Sequence, residues 1–181
     1  MAMIVASDIQ FLLSAPMAAS GYTMPGVPGN SLGAYVSTTQ VITDTQDNLF
    51  TDLTGSQNAA DQVDYQALFI FNSNTTHTML SPMAWLPSGL ITGTVSLAIA
   101  ADLTLPSSYT SSSPQALSIL NPLQAPAGVT TWALPSSGSS GGVALPNIQP
   151  LNVAAVWIRR TANGSASSVS FTPEVTFSTL S

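Results

Sequence analysis

The side chains able to do charged chemistry are few and unevenly placed. Arg159 and Arg160 stand side by side in LNVAAVWIRRTANGS (151–165), and they are the whole lysine-plus-arginine content of 181 residues. Eight carboxylates face them, five within one stretch: Asp44, Asp47, Asp52, Asp61 and Asp64. A planar guanidinium suits a carboxylate bidentately, so an arginine–aspartate pair is the first chemistry these residues offer. Clustered acids also suggest calcium, which takes several converging oxygens, or glycoside hydrolysis, which takes two flanking carboxylates. DTQDN (44–48) has the oxygens but neither the spacing of an EF-hand loop nor its glycine, and the simpler reading is a set of Asx-turns and caps. The single histidine, His77, lies in the polar run NSNTTHTML, and no Gly-x-Ser-x-Gly elbow accompanies it. His77 therefore reads as a turn residue, and no catalytic, metal or cofactor site is assigned. The absence of cysteine excludes disulfides and thiolate metal sites. Asn-Thr-Thr at Asn74 and Asn-Gly-Ser at Asn163 match the glycosylation sequon, but MAMIVASDIQ carries no basic n-region, which reads as no secretory signal.

The elements that must position these groups are strands. Glu, Lys and Arg total three residues, so the exposed faces of helices have little to be built from. Alternating runs recur instead: Ile9-x-Phe11-x-Leu13; Leu32, Ala34 and Val36 continuing to Val41; Val63, Tyr65, Ala67, Phe69 and Phe71; a short run at Trp85; Val95, Leu97 and Ile99; VTTWAL around Trp132; LNVAAVWIRR; and SVSFTPEVTF. Seven or eight strands at even spacing predict an all-β chain, a single antiparallel β-sandwich domain of jelly-roll or Ig-like type over 1–181. Residues 15–31 and 107–142, rich in Pro, Gly and Ser, are expected to be an arm and a long loop region, with SSGSSGG (136–142) either mobile or laid over a neighbour. The three tryptophans, Trp85, Trp132 and Trp157, are expected to anchor the core, with an exposed sugar-stacking platform as the alternative.

Within the late strand, consecutive side chains point to opposite faces. Val153, Ala155, Trp157 and Arg159 share one face; Ala154, Val156, Ile158 and Arg160 share the other. Both faces are apolar, so both are expected to be covered. One arginine should pair inside the domain with an acid of the 44–64 stretch, Asp47, Asp52 or Asp64 being the candidates. The other should face a partner.

Composition narrows the partners. Charged residues make up 6% of the chain and the net charge is −6, where an ordinary soluble domain has roughly 25% charged residues. Two arginines cannot form the basic face that phosphate needs, so nucleic acid is not an expected partner. The charge-poor stretch from Tyr65 to Ala101 is broken by Asn, Pro and Gly and has strand periodicity, so no membrane span is expected either. The polar surface must come from Ser, Thr, Asn and Gln, and much of it is expected to be covered by other subunits.

Three segments together resemble a group of small virion structural proteins of tailed bacteriophages. These are LGAYVSTTQVITDTQDNLFTDLTGSQNAADQVDYQALFIFN, APAGVTTWALP and LPNIQPLNVAAVWIRRTANGSASSVSFTPEVTF. In that group an NLF-x-D-(L/V)-(T/S)-G turn precedes a (D/E)-Y-R strand ending in Asn, and a late strand reads (V/I)-W-(V/I)-R-R-T. The counterparts here are Asn48–Gly55, Asp64-Tyr65-Gln66 through Asn72, and Trp157-Ile158-Arg159-Arg160-Thr161. The likeness spans half to two-thirds of the chain, and the order of the motifs carries it. Gln66 replaces the group's usual arginine, and Asp61-Gln62-Val63 lacks the glycine common before that strand. The resemblance implies a non-enzymatic capsid decoration (cement) protein on the virion exterior, binding the major capsid protein and copies of itself, with a homotrimer expected. A neck, tail or baseplate component, or a carbohydrate-binding host-attachment module, is the alternative.

Overall fold

The computed structural model describes residues 4–15, 24–42, 47–88, 95–163 and 174–179. Its strands are β1 (Ile9–Ala15), β2 (Tyr35–Gln40), β3 (Val63–Asn72), β4 (Met79–Trp85), β5 (Val95–Ala101), β6 (Ser107–Ser108), β7 (Val143–Ala144), β8 (Asn152–Ala162) and β9 (Glu174–Thr179). One helical turn, α1 (Gly55–Ala59), sits before β3. The chain is all-β, and every ladder between these strands is antiparallel. The larger sheet runs β2-β1-β3-β8-β5, with β6 also beside β8; the smaller runs β7-β4-β9.

The alternation along β8 decides where everything else packs. Ala154, Val156 and Ile158 join Leu13, Leu68, Ile70, Leu97 and Ile99 of the larger sheet and Met79 and Ala84 of the smaller in one buried cluster. That cluster is the core between the two sheets. The opposite side chains, Val153 and Ala155, pack with Leu12, Phe69, Phe71 and Ala116. Trp157 packs with Ala67, Ala100, Ile119 and Val129. The larger sheet is therefore covered on both faces, and its outer cover is irregular chain rather than a third sheet.

Irregular backbone can cover a sheet only if its own N–H and C=O groups are paired. Residues 32–36 and 115–119 do this for each other: Ala34 N donates to the Leu117 carbonyl (3.0 Å), Ile119 N to Leu32 (3.0 Å) and Gln115 N to Ala34 (2.6 Å). The Gln115 side chain adds two bonds, accepting from Val36 N (3.0 Å) and donating to the Ser108 carbonyl (2.6 Å). The first half of β3, beyond the end of β1, is closed by the same layer. Ala67 N donates to the Ser31 carbonyl and Tyr65 N to the Pro122 carbonyl. Ser31 Oγ donates to the Ala67 carbonyl (2.6 Å).

Several expected boundaries move for identifiable reasons. The strand read from Leu32 begins only at Tyr35, because Ala34 has φ 64 and turns the chain out of the ladder. VTTWAL forms no strand: Ala133 makes a single bridge with Ile99, Pro135 has no N–H to continue it toward Leu97, and Thr131 does not pair with Ala101. The region 107–142 lies on its own domain, and Gly142 packs against Ala84 and Trp85 of β4. Residues 24–31 of the expected arm also lie on their own chain, with Met24 and Ser31 bonded to β2 and β3; residues 16–23 lie outside the described residues, as does most of SVSFTPEVTF before Glu174. The turn of α1 is set by a capping box, in which Thr54 accepts from Gln57 N (3.3 Å) and Gln57 Oε1 accepts from Thr54 N (2.8 Å).

Gly33 is where the cover meets the sheet most closely. Its φ is +85, and a β-carbon there would stand 1.9 Å from the Leu117 carbonyl oxygen and 3.1 Å from the Trp157 ring. Both backbone strain and a collision with main chain follow from any side chain. Gly33→Ala is expected to destabilise the protein by about 2–4 kcal/mol in urea unfolding; a loss under about 0.5 kcal/mol would mean that the layer is not seated on Trp157 as described.

Candidate functional site

The two arginines leave β8 on opposite sides. Arg160 faces Asp64 directly across the β3–β8 ladder. Its Nη2 lies 2.6 Å and its Nε 3.2 Å from the same oxygen, Asp64 Oδ2. Nη1 donates to the Thr51 carbonyl at 2.7 Å, and the guanidinium sits 4.6 Å above the Phe50 ring. Gln62 Nε2 donates to Asp64 Oδ1 at 2.6 Å, so both carboxylate oxygens are engaged. Arg160 is 6% exposed and Asp64 4%. A buried pair of this kind is tolerable only when the remaining donors and lone pairs are also satisfied, and here the Thr51 carbonyl and Gln62 do that. The ion pair thereby ties the Asn48–Gly55 turn to the sheet.

Arg159 stands opposite Tyr65 on the outer face. Its guanidinium lies 5.0 Å from the centroid of Trp132, which in turn tilts at 55° against Tyr65 at 5.7 Å. All three side chains are half-buried. Arg159 therefore also has a neighbour within its own domain, and it is the one guanidinium outside an ion pair among the described residues.

The other candidate acids do not converge. Asp47 and Asp52 are exposed and make no ion pair among the described residues, and Asp44 lies outside them. No group of three or more His, Asp or Glu side chains among the described residues is placed to hold a metal ion. His77 is half-buried in its turn, with Nδ1 2.6 Å from Thr76 Oγ1. The turn is organised by Asn74, whose Oδ1 accepts from Thr76 N (2.9 Å) and His77 N (2.8 Å) while its Nδ2 donates to Asp8 (3.0 Å). Bonds from Val5 N and Asn74, with His77 nearby, hold the Asp8 carboxyl below its ordinary value.

Asp102 is the acid that the sequence reading passed over. It is 8% exposed and receives three bonds: Trp157 Nε1 at 2.6 Å and Leu117 N at 3.0 Å on Oδ2, and Thr104 N at 2.7 Å on Oδ1. One carboxylate thus joins the central strand, the end of β5 and the covering layer. The available signal was Asp-x-Thr just after the run TVSLAIAA, the pattern of an Asx-turn. The tryptophans also divide: Trp157 and Trp85 are core residues, but Trp132 is half-buried, contrary to the expectation that all three are anchors. Trp132 lines an open cleft of about 410 Å³ together with Ala101, Leu103, Val129, Thr131 and Ala144.

No family model matches the chain, and neither a curated protein nor a solved structure matches it.

The split of the arginines has a measurable consequence. Arg160→Ala leaves the Asp64 carboxylate buried without its cation and is expected to cost about 3 kcal/mol or more. Arg159→Ala removes a half-exposed cation–π contact and is expected to cost about 0.5–1 kcal/mol. Urea unfolding of the two single variants checks this, and equal losses would contradict the assignment.

Proposed function

We propose that the chain is a non-enzymatic structural protein of a tailed-bacteriophage virion, and within that class a decoration (cement) protein. It binds the outside of the capsid and stabilises the contacts between major capsid subunits. The observation that carries this reading is the outward side of the covering layer. Leu103, Leu105, Leu120, Leu123 and Leu134, in and beside the segments that cover the larger sheet, are each between 58 and 88% exposed, in a chain with very few charges. Scattered exposed leucines are ordinary; five within about thirty residues of sequence are a concentration that suits a docking surface. The resemblance of the Asn48–Gly55 turn, the Asp64–Asn72 strand and the Trp157–Thr161 run to phage virion proteins supports the same reading. Copies of the chain are partners on this account, as a homotrimer on the shell, and nucleic acid is not.

The mechanism is mass action. A protein that binds the assembled lattice and not free subunits stabilises the lattice by the free energy of that binding. An apolar face suits it, because burial of apolar area needs no charge matching at each shell joint.

A cryo-EM map of the particle tests the proposal: density for the chain over the capsomers of the whole shell is expected. A single ring at one vertex would assign the chain to the neck or tail, and no density would remove the virion reading. Leu120→Glu, at the most exposed of the five leucines, is expected to leave folding stability within about 0.5 kcal/mol and to weaken binding to purified shells roughly tenfold or more.

A further inference from the structure

The cleft beside Trp132 is opened by a ladder that stops early. Ile99 exchanges both backbone hydrogen bonds with Ala133, at 2.9 and 2.8 Å, on the side of β5 away from β8. Asp102 N bonds toward β8 instead, to the Ala155 carbonyl at 3.0 Å. Backbone groups alternate sides along an antiparallel strand, so Ala101 must present its N–H and C=O on the Ile99 side. A continued ladder would place Thr131 opposite Ala101, but no such pairing forms. Across the cleft, Leu145 N bonds to the Pro82 carbonyl at 2.8 Å and Ala144 pairs with Met83 without exchanging bonds, so the Ala144 backbone likewise points away from β4. Among the described residues the cleft thus has main-chain donors and acceptors without partners on two walls and apolar side chains, Leu103, Val129, Trp132 and Val143, between them.

We propose that this cleft accepts an extended, uncharged peptide segment of another protein, which adds to the β5 edge at Ala101 and sets apolar side chains against Leu103, Val129 and Trp132. Three observations select that occupant. Unpaired backbone on a sheet edge is the recognition element of strand addition, and alternate side-chain pockets supply its specificity. Among the described residues no charged side chain lines the cleft, which favours an uncharged segment. Among the described residues the only side-chain hydroxyls on its wall are those of Thr130 and Thr131, too few polar groups to orient a sugar. The inference does not depend on the capsid reading, because it concerns the isolated chain.

The test uses the full-length ¹⁵N-labelled protein and the synthetic peptide acetyl-Ser-Val-Thr-Val-Ser-amide. Addition of the peptide is expected to slow hydrogen exchange at the Ala101 amide roughly tenfold or more, and to shift the Trp132 indole resonance. The same peptide with proline for its central threonine, which lacks the donor, is expected to do neither. Ala144→Glu, at an exposed position, is expected to keep the spectrum of the fold and weaken peptide binding roughly tenfold. The proposal is overturned if the parent peptide leaves Ala101 exchange unchanged up to its solubility limit, or if the proline peptide acts equally well. It is also overturned if maltose produces the Trp132 shift and the peptide does not, which would make the cleft a sugar site. Protection at Ala101 that rises with protein concentration alone would assign the cleft to a second copy of this chain and overturn it too.

Discussion

β8 is apolar on both faces, and the rest of the structure answers that constraint. A strand with one wet face needs one layer of cover; β8 needs two. The smaller sheet supplies the first through Met79 and Ala84. The second comes from irregular chain, which has to satisfy its own backbone while lying on Val153, Ala155 and Trp157. Residues 32–36 and 115–119 do so by pairing with each other, and Asp102 fastens them by accepting from Leu117 N and Trp157 Nε1 with one oxygen. Seen this way, the close approach at Gly33 and the single bridge at Ala133 are consequences of seating loops on a sheet.

The same constraint explains how a chain with so few charges arranges its interior. Most buried polar work is done by amides and hydroxyls. Gln66, fully buried, accepts from Ser31 N (2.7 Å) and donates to the Gly29 carbonyl (3.1 Å), so the residue standing where the resemblance leads one to expect arginine stitches the chain before Leu32 to β3. Asn72, also fully buried, reaches the carbonyls of His77 and Ile148. Neutral groups carry a smaller desolvation penalty than ions, and each needs only local partners. The one buried ion pair among the described residues, Asp64–Arg160, is placed where three segments meet: β3, β8 and the Thr51 turn. Arg159, by contrast, rests on Trp132 at the margin of the outer face.

Much of this was legible in the sequence and some was not, for physical reasons. Strand periodicity marks β1, β3, β5 and β8, and strict alternation assigns each side chain of β8 to its face before any coordinates are known. It also requires the arginines to diverge. It cannot choose among Asp47, Asp52 and Asp64, because that depends on the β3–β8 register, which sets Asp64 against Arg160. Of the covering layer, residues 115–119 read as loop and 32–36 as the start of a strand, since their pairing joins residues about eighty apart without periodic pattern. Ala34 and Leu151 adopt positive φ, at 64 and 57, and neither residue type announces it. Trp132 looks like a core residue by its apolar neighbours, yet the ladder does not continue from Ala133 to Thr131, which leaves it at the rim of a cleft. The functional reading rests on the exposed leucines between residues 103 and 134, which no strand pattern would single out.

The central claim is that the covering layer is part of the cooperative fold rather than a mobile loop. Native-state hydrogen exchange measures this directly, residue by residue. The amides of Ala34 and Ile119, bonded within the layer, and of Leu117, bonded to Asp102, are predicted to exchange only through global unfolding, with opening free energies within about 1 kcal/mol of those of the β8 amides. Exchange of these three amides by local opening several kcal/mol easier than global unfolding would contradict the account, leaving the outer face of β8 without a stable cover.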